Sequence, residues 1–152
     1  MTYTIGEIAK KLNLASSTLR YYDKEGLLPF VARSSGGIRI FQESDLNTLE
    51  IIECLKESGM PIAEIKTFID LCMEGDATIE DRLAIIQRRY DAVLEQQKKL
   101  QETLHLLEYK KWYYEQARAA GTCAIHDTMT AEDIPLEFLD VARKILDRKQ
   151  TK

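Results

Sequence analysis

The chain has 152 residues, three cysteines and a formal net charge of −4. This length allows one domain, or a small domain with an appendage, and the apolar content suffices for a buried core. The sequence contains no apolar run long enough for a membrane span and no signal-peptide pattern, so we expect a cytoplasmic protein with no membrane partner. Three widely spaced cysteines fit reduced thiols better than a disulfide framework.

Two short helices are predicted at the start of the chain. Residues Thr4 to Glu7 have the form of a capping box, and the apolar stripe after them predicts a helix of about two turns. That helix should end near Asn13, a residue type that tolerates the left-handed conformation of tight turns. The second helix should begin at Ser16 and stop at Gly26. Two short helices separated by about three residues form a helix-turn-helix.

The second helix has two different faces. Leu19 and Tyr22 point to one side and should be buried. The other side carries hydrogen-bond donors, on Ser17, Arg20, Tyr21 and Lys24. Such donors suit phosphate oxygens and base edges, although a merely solvated face is the alternative. The net charge disfavours a nucleic-acid partner, but residues 1–45 carry six Lys or Arg against five Asp or Glu, so this lobe is nearly neutral.

The segment from Phe30 to Phe41 reads as a β-hairpin. Its β-branched residues surround a flexible tip at residues 34–37, and Arg33 and Arg39 flank that tip. A hairpin with two arginines beside a helix-turn-helix can serve as a wing that contacts the phosphate backbone or the minor groove. An ordinary surface hairpin is the alternative.

Two amphipathic helices follow the hairpin. The first should run from Glu43 to Ser58 and stop at Gly59, and the second should start after Pro61 and end near Gly75. We expect both to complete the small core beneath the wing.

From Ile79 the apolar pattern becomes a heptad repeat over five heptads, in which Gln97 and Lys111 are the polar members. The positions of the repeat are Ile79, Leu83, Ile86, Tyr90, Val93, Gln97, Leu100, Leu104, Leu107, Lys111 and Tyr114. A helix from Ile79 to Ala117 would be about 58 Å long, too long to bury this seam on a lobe of about 75 residues. The seam therefore predicts a partner helix, most economically from an identical chain.

The rest of the chain predicts a loop at residues 123–130 and a last amphipathic helix, roughly residues 136–149, which should pack back on the dimer. The predicted organisation is a helix-turn-helix domain with a hairpin wing at residues 1–75, a coiled-coil dimerisation helix at 76–119 and a short C-terminal tail at 120–152; DNA binding by the first domain is the interpretation that its donor face favours.

These patterns resemble the MerR family of bacterial transcription regulators. The matching runs are Ile5-Gly6-Glu7, Ala9-Lys10, Thr18-Leu19-Arg20-Tyr21-Tyr22, Glu25-Gly26-Leu27-Leu28, Arg33, Arg39, Asp45-Leu46, Gly59 and Glu64-Ile65. The resemblance implies an α-dominated winged helix-turn-helix protein with a long dimerisation helix and a short C-terminal helix. It also implies a homodimer on a palindromic promoter operator, acting on RNA polymerase by distorting the DNA, with no enzymatic activity and no cofactor.

Carried over residue by residue, the resemblance assigns DNA contacts to both helices and to the wing. These contacts are Thr4, Ser17, Arg20, Tyr21, Arg33 and Arg39. One departure concerns the wing, where relatives commonly have Tyr-Arg and this chain has Ile38-Arg39. A phenol contact is therefore missing from the wing.

The stimulus is less clear from the sequence than the DNA-binding role. Metal sensors of the family have a cysteine before the long helix and a cysteine pair after it, whereas this chain offers only Cys123 and His126 in the tail loop. Two soft ligands fall short of a structural zinc site, so we predict no metal, although sensing of a metal or small ligand stays an alternative.

Cys54 is the candidate sensor. The helical wheel places it at the edge of the third helix's apolar face, and partial exposure is required of a reactive thiol. A structural core-edge cysteine is the alternative, because nearby glutamates disfavour a thiolate. The resemblance extends to a subgroup that responds to aldehydes and other electrophiles and has a lone cysteine at this position. Cys72 should instead be a core residue.

Overall fold

The computed structural model describes the backbone of residues 1–150 and side chains up to residue 145. It divides into two compact units, residues 1–93 and residues 94 onward. The six α-helices of the described residues are α1 (Ile5–Lys11), α2 (Ser16–Lys24), α3 (Asp45–Glu57), α4 (Ile62–Glu74), α5 (Ile79–Ala120) and α6 (Leu139–Gln150). No helix among the described residues is long and apolar enough to cross a membrane. The mostly helical fold class predicted from the sequence is confirmed.

The sheet has three short strands, one more than the hairpin predicts. Strands β1 (Thr2–Tyr3), β2 (Ala32–Arg33) and β3 (Arg39–Gln42) lie in the order β1-β3-β2, and both pairings are antiparallel. The N-terminal residues precede the capping box and are too few to show an alternating pattern. They become a strand because β3 offers its free edge.

The two N-terminal helices form as their end signals predict. Thr4 caps α1 in a complete capping box with Glu7, and Asn13 adopts the left-handed conformation at φ 54°. Between α1 and α2 the backbone N–H of Leu14 returns to the carbonyl of Ala9, 2.8 Å away. The turn is therefore held by main-chain bonds, and it fixes how α2 leaves the core.

The core of the first unit draws on every helix and on β3. Its fully buried side chains are Ile8, Leu19, Tyr22, Leu27, Phe41, Leu49, Ile52, Ile65 and Ile69. Ile85 of α5 also belongs to this cluster, so the start of the long helix packs on the core formed by α1 to α4. The boundaries predicted at residues 75 and 119 stay a prediction, since the compact units divide at residue 93.

A close contact joins the turn between α3 and α4 to α5. Gly59 has φ +82°, and a Cβ there would lie only 2.5 Å from Nη2 of Arg89. That Nη2 donates a hydrogen bond to the carbonyl of Ser58. Glycine is favoured at this turn by its backbone conformation, and a larger side chain there would displace the Arg89 guanidinium.

The second unit is held by aromatic packing. Phe138 is buried against the rings of His105, Tyr109 and Trp112, with ring centroids 5.7 to 6.0 Å apart. The segment leading into the last helix thus packs on α5 of its own chain, and Asp140 of α6 lies 3.4 Å from Nε2 of His105. Packing of this helix on a dimer stays a prediction. The predicted loop at residues 123–130 contains a short 3₁₀ helix, Cys123–Asp127, and the predicted start of the last helix is a 3₁₀ turn, Leu136–Phe138. Thr122 caps the first of these turns, where its hydroxyl accepts from the backbone N–H of Ala124 at 3.1 Å.

Candidate nucleic-acid interface

Helix α2 separates a buried face from an exposed face, as its sequence predicts. Leu19 is 0% and Tyr22 only 1% exposed, whereas Tyr21 is 46% exposed. Ser17 and Arg20 are exposed on the same side as Tyr21. A rigid helix thus presents a hydroxyl, a guanidinium and a phenol, three groups that can contact phosphates and base edges. We call Ser17, Arg20 and Tyr21 the reading face, and α2 the reading helix.

Thr4 lies at the start of α1, and its hydroxyl is already engaged. Its Oγ1 lies 2.9 Å from Oε2 of Glu7 and accepts from the backbone N–H of Glu7 at 3.4 Å. The cap lowers the pKa of the Glu7 carboxyl through the hydrogen bonds from Thr4. Any DNA contact by Thr4 would therefore come from a side chain with a fixed orientation.

The wing arginines share a partner that the sequence did not reveal. Nη2 of Arg33 lies 2.7 Å, and Nε of Arg39 lies 2.9 Å, from the same carboxylate oxygen of Asp23, at the C-terminal end of α2. Nη2 of Arg39 also donates to it. Partial burial alone would raise the pKa of Asp23, but the bonds and charges of Arg39 and Arg33 outweigh it and hold the pKa below its ordinary value.

A second polar group links α2 to α3. The hydroxyl of buried Tyr22 donates to Glu53 and accepts from Nζ of Lys56 at 2.8 Å. Burial and the Glu53 hydrogen bond raise the pKa of Tyr22, so the phenol stays protonated and acts as a donor. The helix pattern identified Tyr22 only as a core residue, because a phenol's partners depend on tertiary packing.

Cys54 is exposed, which confirms the exposure predicted for it. It follows Glu53 directly, and its carbonyl accepts from the backbone N–H of Ser58 at 3.0 Å. The carbonyl of Ser58 in turn accepts a hydrogen bond from the Arg89 guanidinium of α5. Cys54 therefore lies between one polar link to α2 and another to α5.

The other two cysteines differ from each other. Cys72 is half-buried, so the prediction of a core residue was wrong; it lies near the end of α4, with Nη1 of Arg82 3.9 Å from its Sγ. Cys123 is exposed, and its carbonyl accepts from the hydroxyl of Tyr113 at 2.7 Å. Nδ1 of His126 lies 2.9 Å from that same carbonyl. Among the described residues, no group of three His, Cys, Asp or Glu side chains is placed to hold a metal ion.

The heptad positions of α5 are exposed in the single chain. The exposed apolar members are Ile79, Leu83, Ile86, Tyr90, Val93, Leu100, Leu104, Leu107 and Tyr114, and Leu100 reaches 70%. Apolar side chains in such a row are normally covered in a soluble protein. We call this row the apolar seam of α5.

Comparison with known proteins identifies the family. The sequence matches the descriptions "MerR HTH family regulatory protein" over residues 3–72 and "MerR, DNA binding" over residues 46–109. It is also 43% identical over 122 residues to an HTH-type transcriptional regulator of Haemophilus influenzae, covering 80% of this chain and 90% of the relative. The chain belongs to the MerR family. This MerR-family protein is a DNA-binding transcription regulator.

Solved structures agree with the MerR assignment. One is HiNmlR, a MerR family regulator lacking the sensor domain and bound to promoter DNA; it is 42% identical, with a TM-score of 0.66 over 82% of this chain and 99% of HiNmlR. Another is a MerR family regulator from Bacillus thuringiensis, 47% identical, with a TM-score of 0.62 over 72% of this chain and 96% of the other. The DNA-binding role inferred from the second helix and the wing is thus confirmed for the protein as a whole, while its individual contacts stay predictions.

Proposed function

We propose that this MerR-family regulator binds a palindromic promoter operator as a homodimer and distorts the DNA to control transcription by RNA polymerase. We further propose that thiol-reactive electrophiles, such as aldehydes, act on it through Cys54. One observation carries the proposal: a single chain exposes both the reading face of α2, with its hydrogen-bond donors, and the long apolar seam of α5. The first suits DNA, and the second suits another protein helix.

The apolar seam supports the homodimer. Moving a large aliphatic side chain from full exposure to full burial contributes about 1.5 to 3 kcal/mol, so covering the seven aliphatic and two tyrosine side chains of the seam, each partly exposed, would add a large stabilisation. An identical seam on a second chain covers them with matching heptads. A two-fold dimer then presents two reading helices, which is the symmetry that a palindromic operator requires.

The reading face and the wing support the proposed mode of DNA binding. Arg20, Tyr21 and Ser17 would enter the major groove, while Arg33, Arg39 and Thr4 would contact the backbone around it. HiNmlR is bound to promoter DNA although it lacks the sensor domain, and the likeness to this chain extends over 99% of its length at 42% identity. That likeness supports placing DNA binding in the matched part of this chain.

The position of Cys54 supports the sensing proposal. A thiol can react with an electrophile only where the reagent can reach it, and Cys54 is exposed. An adduct on this turn of α3 would crowd two links, the Tyr22–Glu53 bond to the reading helix and the Ser58–Arg89 bond to α5. Shifting them would change the angle between the two DNA-binding lobes of the dimer.

The decisive experiment measures promoter output with and without formaldehyde or methylglyoxal. The wild type is compared with Cys54→Ser, and Cys123→Ser is the matched control because Cys123 is also exposed. We expect Cys54→Ser to lose the response and Cys123→Ser to keep it. A full response in Cys54→Ser would refute sensing through Cys54, and footprinting of the same protein on its own promoter checks the operator separately.

A further inference from the structure

The β-hairpin places two positive charges directly opposite each other. In the β2–β3 ladder the register pairs Arg33 with Arg39, and Ala32 with Ile40 is the remaining pair of this ladder. Like charges on directly opposed residues destabilise an antiparallel pair. A two-residue ladder offers little else to resist that repulsion, so the hairpin needs a negative charge between the two guanidiniums.

Asp23 supplies that charge from outside the hairpin. It lies near the end of α2, two residues beyond Tyr21 of the reading face, and its carboxylate accepts from Arg33 and from Arg39. The Asp23 side chain is only 17% exposed, which strengthens the ion pairs relative to fully solvated ones. One carboxylate therefore joins both strands of the wing to the helix that reads DNA.

We propose that Asp23 is a positioning residue for DNA binding, which fixes the wing against α2 so that both dock on DNA as one rigid unit. Asp23, Arg33 and Arg39, which we call the clamp, have a summed charge of +1. One positive charge therefore stays available for phosphate. Ordering the wing before binding removes an entropic cost that a loose hairpin would incur on the DNA. This inference rests on the proposed function for the wing contacts.

The proposal predicts that removing the Asp23 carboxylate weakens DNA binding, whereas net charge alone predicts that it strengthens binding. Removing a carboxylate near DNA should strengthen binding if only electrostatic repulsion mattered. We expect Asp23→Asn instead to weaken binding to a fragment of the protein's own promoter by about tenfold, the size typical of a lost charged hydrogen bond. Binding to a scrambled fragment of equal length should not weaken, because loose arginines still meet phosphates.

Two variants accompany Asp23→Asn in this measurement. Asp70→Asn makes the same change of charge at the Lys66–Asp70 pair of α4, which does not involve the wing, and should not weaken promoter binding. Asp23→Glu keeps the carboxylate and should recover most of the lost affinity. If Asp23→Asn binds the promoter as tightly as the wild type or more tightly, the proposal is wrong.

A DNA-free measurement tests the clamp independently of the proposed function. Trypsin cleaves after Arg33 and Arg39, so release of the wing should accelerate cleavage at these two bonds by several-fold in Asp23→Asn. Cleavage after Lys56, in the core helix α3, serves as the internal reference. Faster cleavage confined to the wing supports the clamp. Equal acceleration at all sites, or none at the wing, overturns it, whatever the protein does with DNA.

Discussion

The reading face of α2 and the apolar seam of α5 are both exposed, but they stand in opposite relations to the rest of the chain. Behind the reading face, Leu19 and Tyr22 are buried, and the charges beside it are paired within the chain. The seam exposes large apolar side chains up to 70%. The first region is thus complete within one chain, whereas the second leaves a row of apolar side chains uncovered, as the proposed dimer would explain.

This difference separates two kinds of exposed surface. A polar face above a buried core costs no stability when it is exposed to water, so it is free to contact DNA. An apolar row loses stabilisation for as long as it stays uncovered. Substitutions in the seam should therefore affect assembly and DNA binding together, while substitutions on the reading face should affect DNA binding alone.

The largest effect is expected from a charge in the seam. Leu100→Glu would place two carboxylates in the proposed dimer interface, where burying an unpaired charge costs several kcal/mol. We expect a monomer by light scattering and a loss of promoter affinity of about 100-fold or more. Gln101→Glu, at the neighbouring exposed position outside the seam, is the control and should stay dimeric. A dimeric Leu100→Glu protein would show that the seam does not join the chains.

The next largest effect is expected on the reading face. Arg20→Ala should weaken promoter binding by about 1 to 3 kcal/mol, the range for an arginine that contacts a base. Gel shifts measure this loss, and size-exclusion chromatography should show an unchanged dimer. Arg88→Ala removes the same charge from an exposed position of α5 and should leave binding near the wild-type value. Equal losses in both variants would mean that Arg20 acts only through net charge.

A smaller effect is expected at the link between α5 and the Cys54 turn. Arg89→Met keeps the aliphatic stem but removes the donor to the Ser58 carbonyl. Loss of one such hydrogen bond is worth about 1 kcal/mol, so the ratio of induced to basal promoter output should fall by several-fold. DNA affinity without inducer should change little. Arg88→Met is the neighbouring control, and an unchanged induction ratio in Arg89→Met would exclude this link from signalling.

The smallest effect is expected at the wing tip. Ile38 is 66% exposed and stands where the family resemblance leads us to expect tyrosine. Ile38→Tyr should fit without strain and add one hydroxyl donor for a phosphate, tightening promoter binding by about 0.5 to 1.5 kcal/mol. Fluorescence anisotropy can resolve this gain, with Ile38→Phe as the control that lacks the hydroxyl. If the two variants bind with equal affinity, the added hydroxyl makes no contact with DNA, and Arg33 and Arg39 remain the proposed DNA contacts of the wing.

The elements that could be predicted from the sequence are those with short-range signals. The capping box at Thr4 and the left-handed turn at Asn13 act over a few residues, so they could be recognised before the fold was known. Strand β1 and the 3₁₀ turns at residues 123–127 and 136–138 carry no comparable signal. Strand β1 depends on the free edge of β3, and the turn at residues 136–138 lies where Phe138 packs on the rings of α5. The turn at residues 123–127 lies beside Tyr113, whose hydroxyl donates to the carbonyl of Cys123. Only folding brings these groups together.

The sequence by itself determined the helix-turn-helix, the wing and the heptad seam, because each depends on the periodicity or end signals of a single segment. Tertiary structure decided the partners. Asp23 meets Arg33 and Arg39 ten and sixteen residues away, and Tyr22 meets Glu53 thirty-one residues away. No periodicity encodes such pairs, since they form only when separate elements pack and their charged or polar ends must be satisfied in a partly buried place.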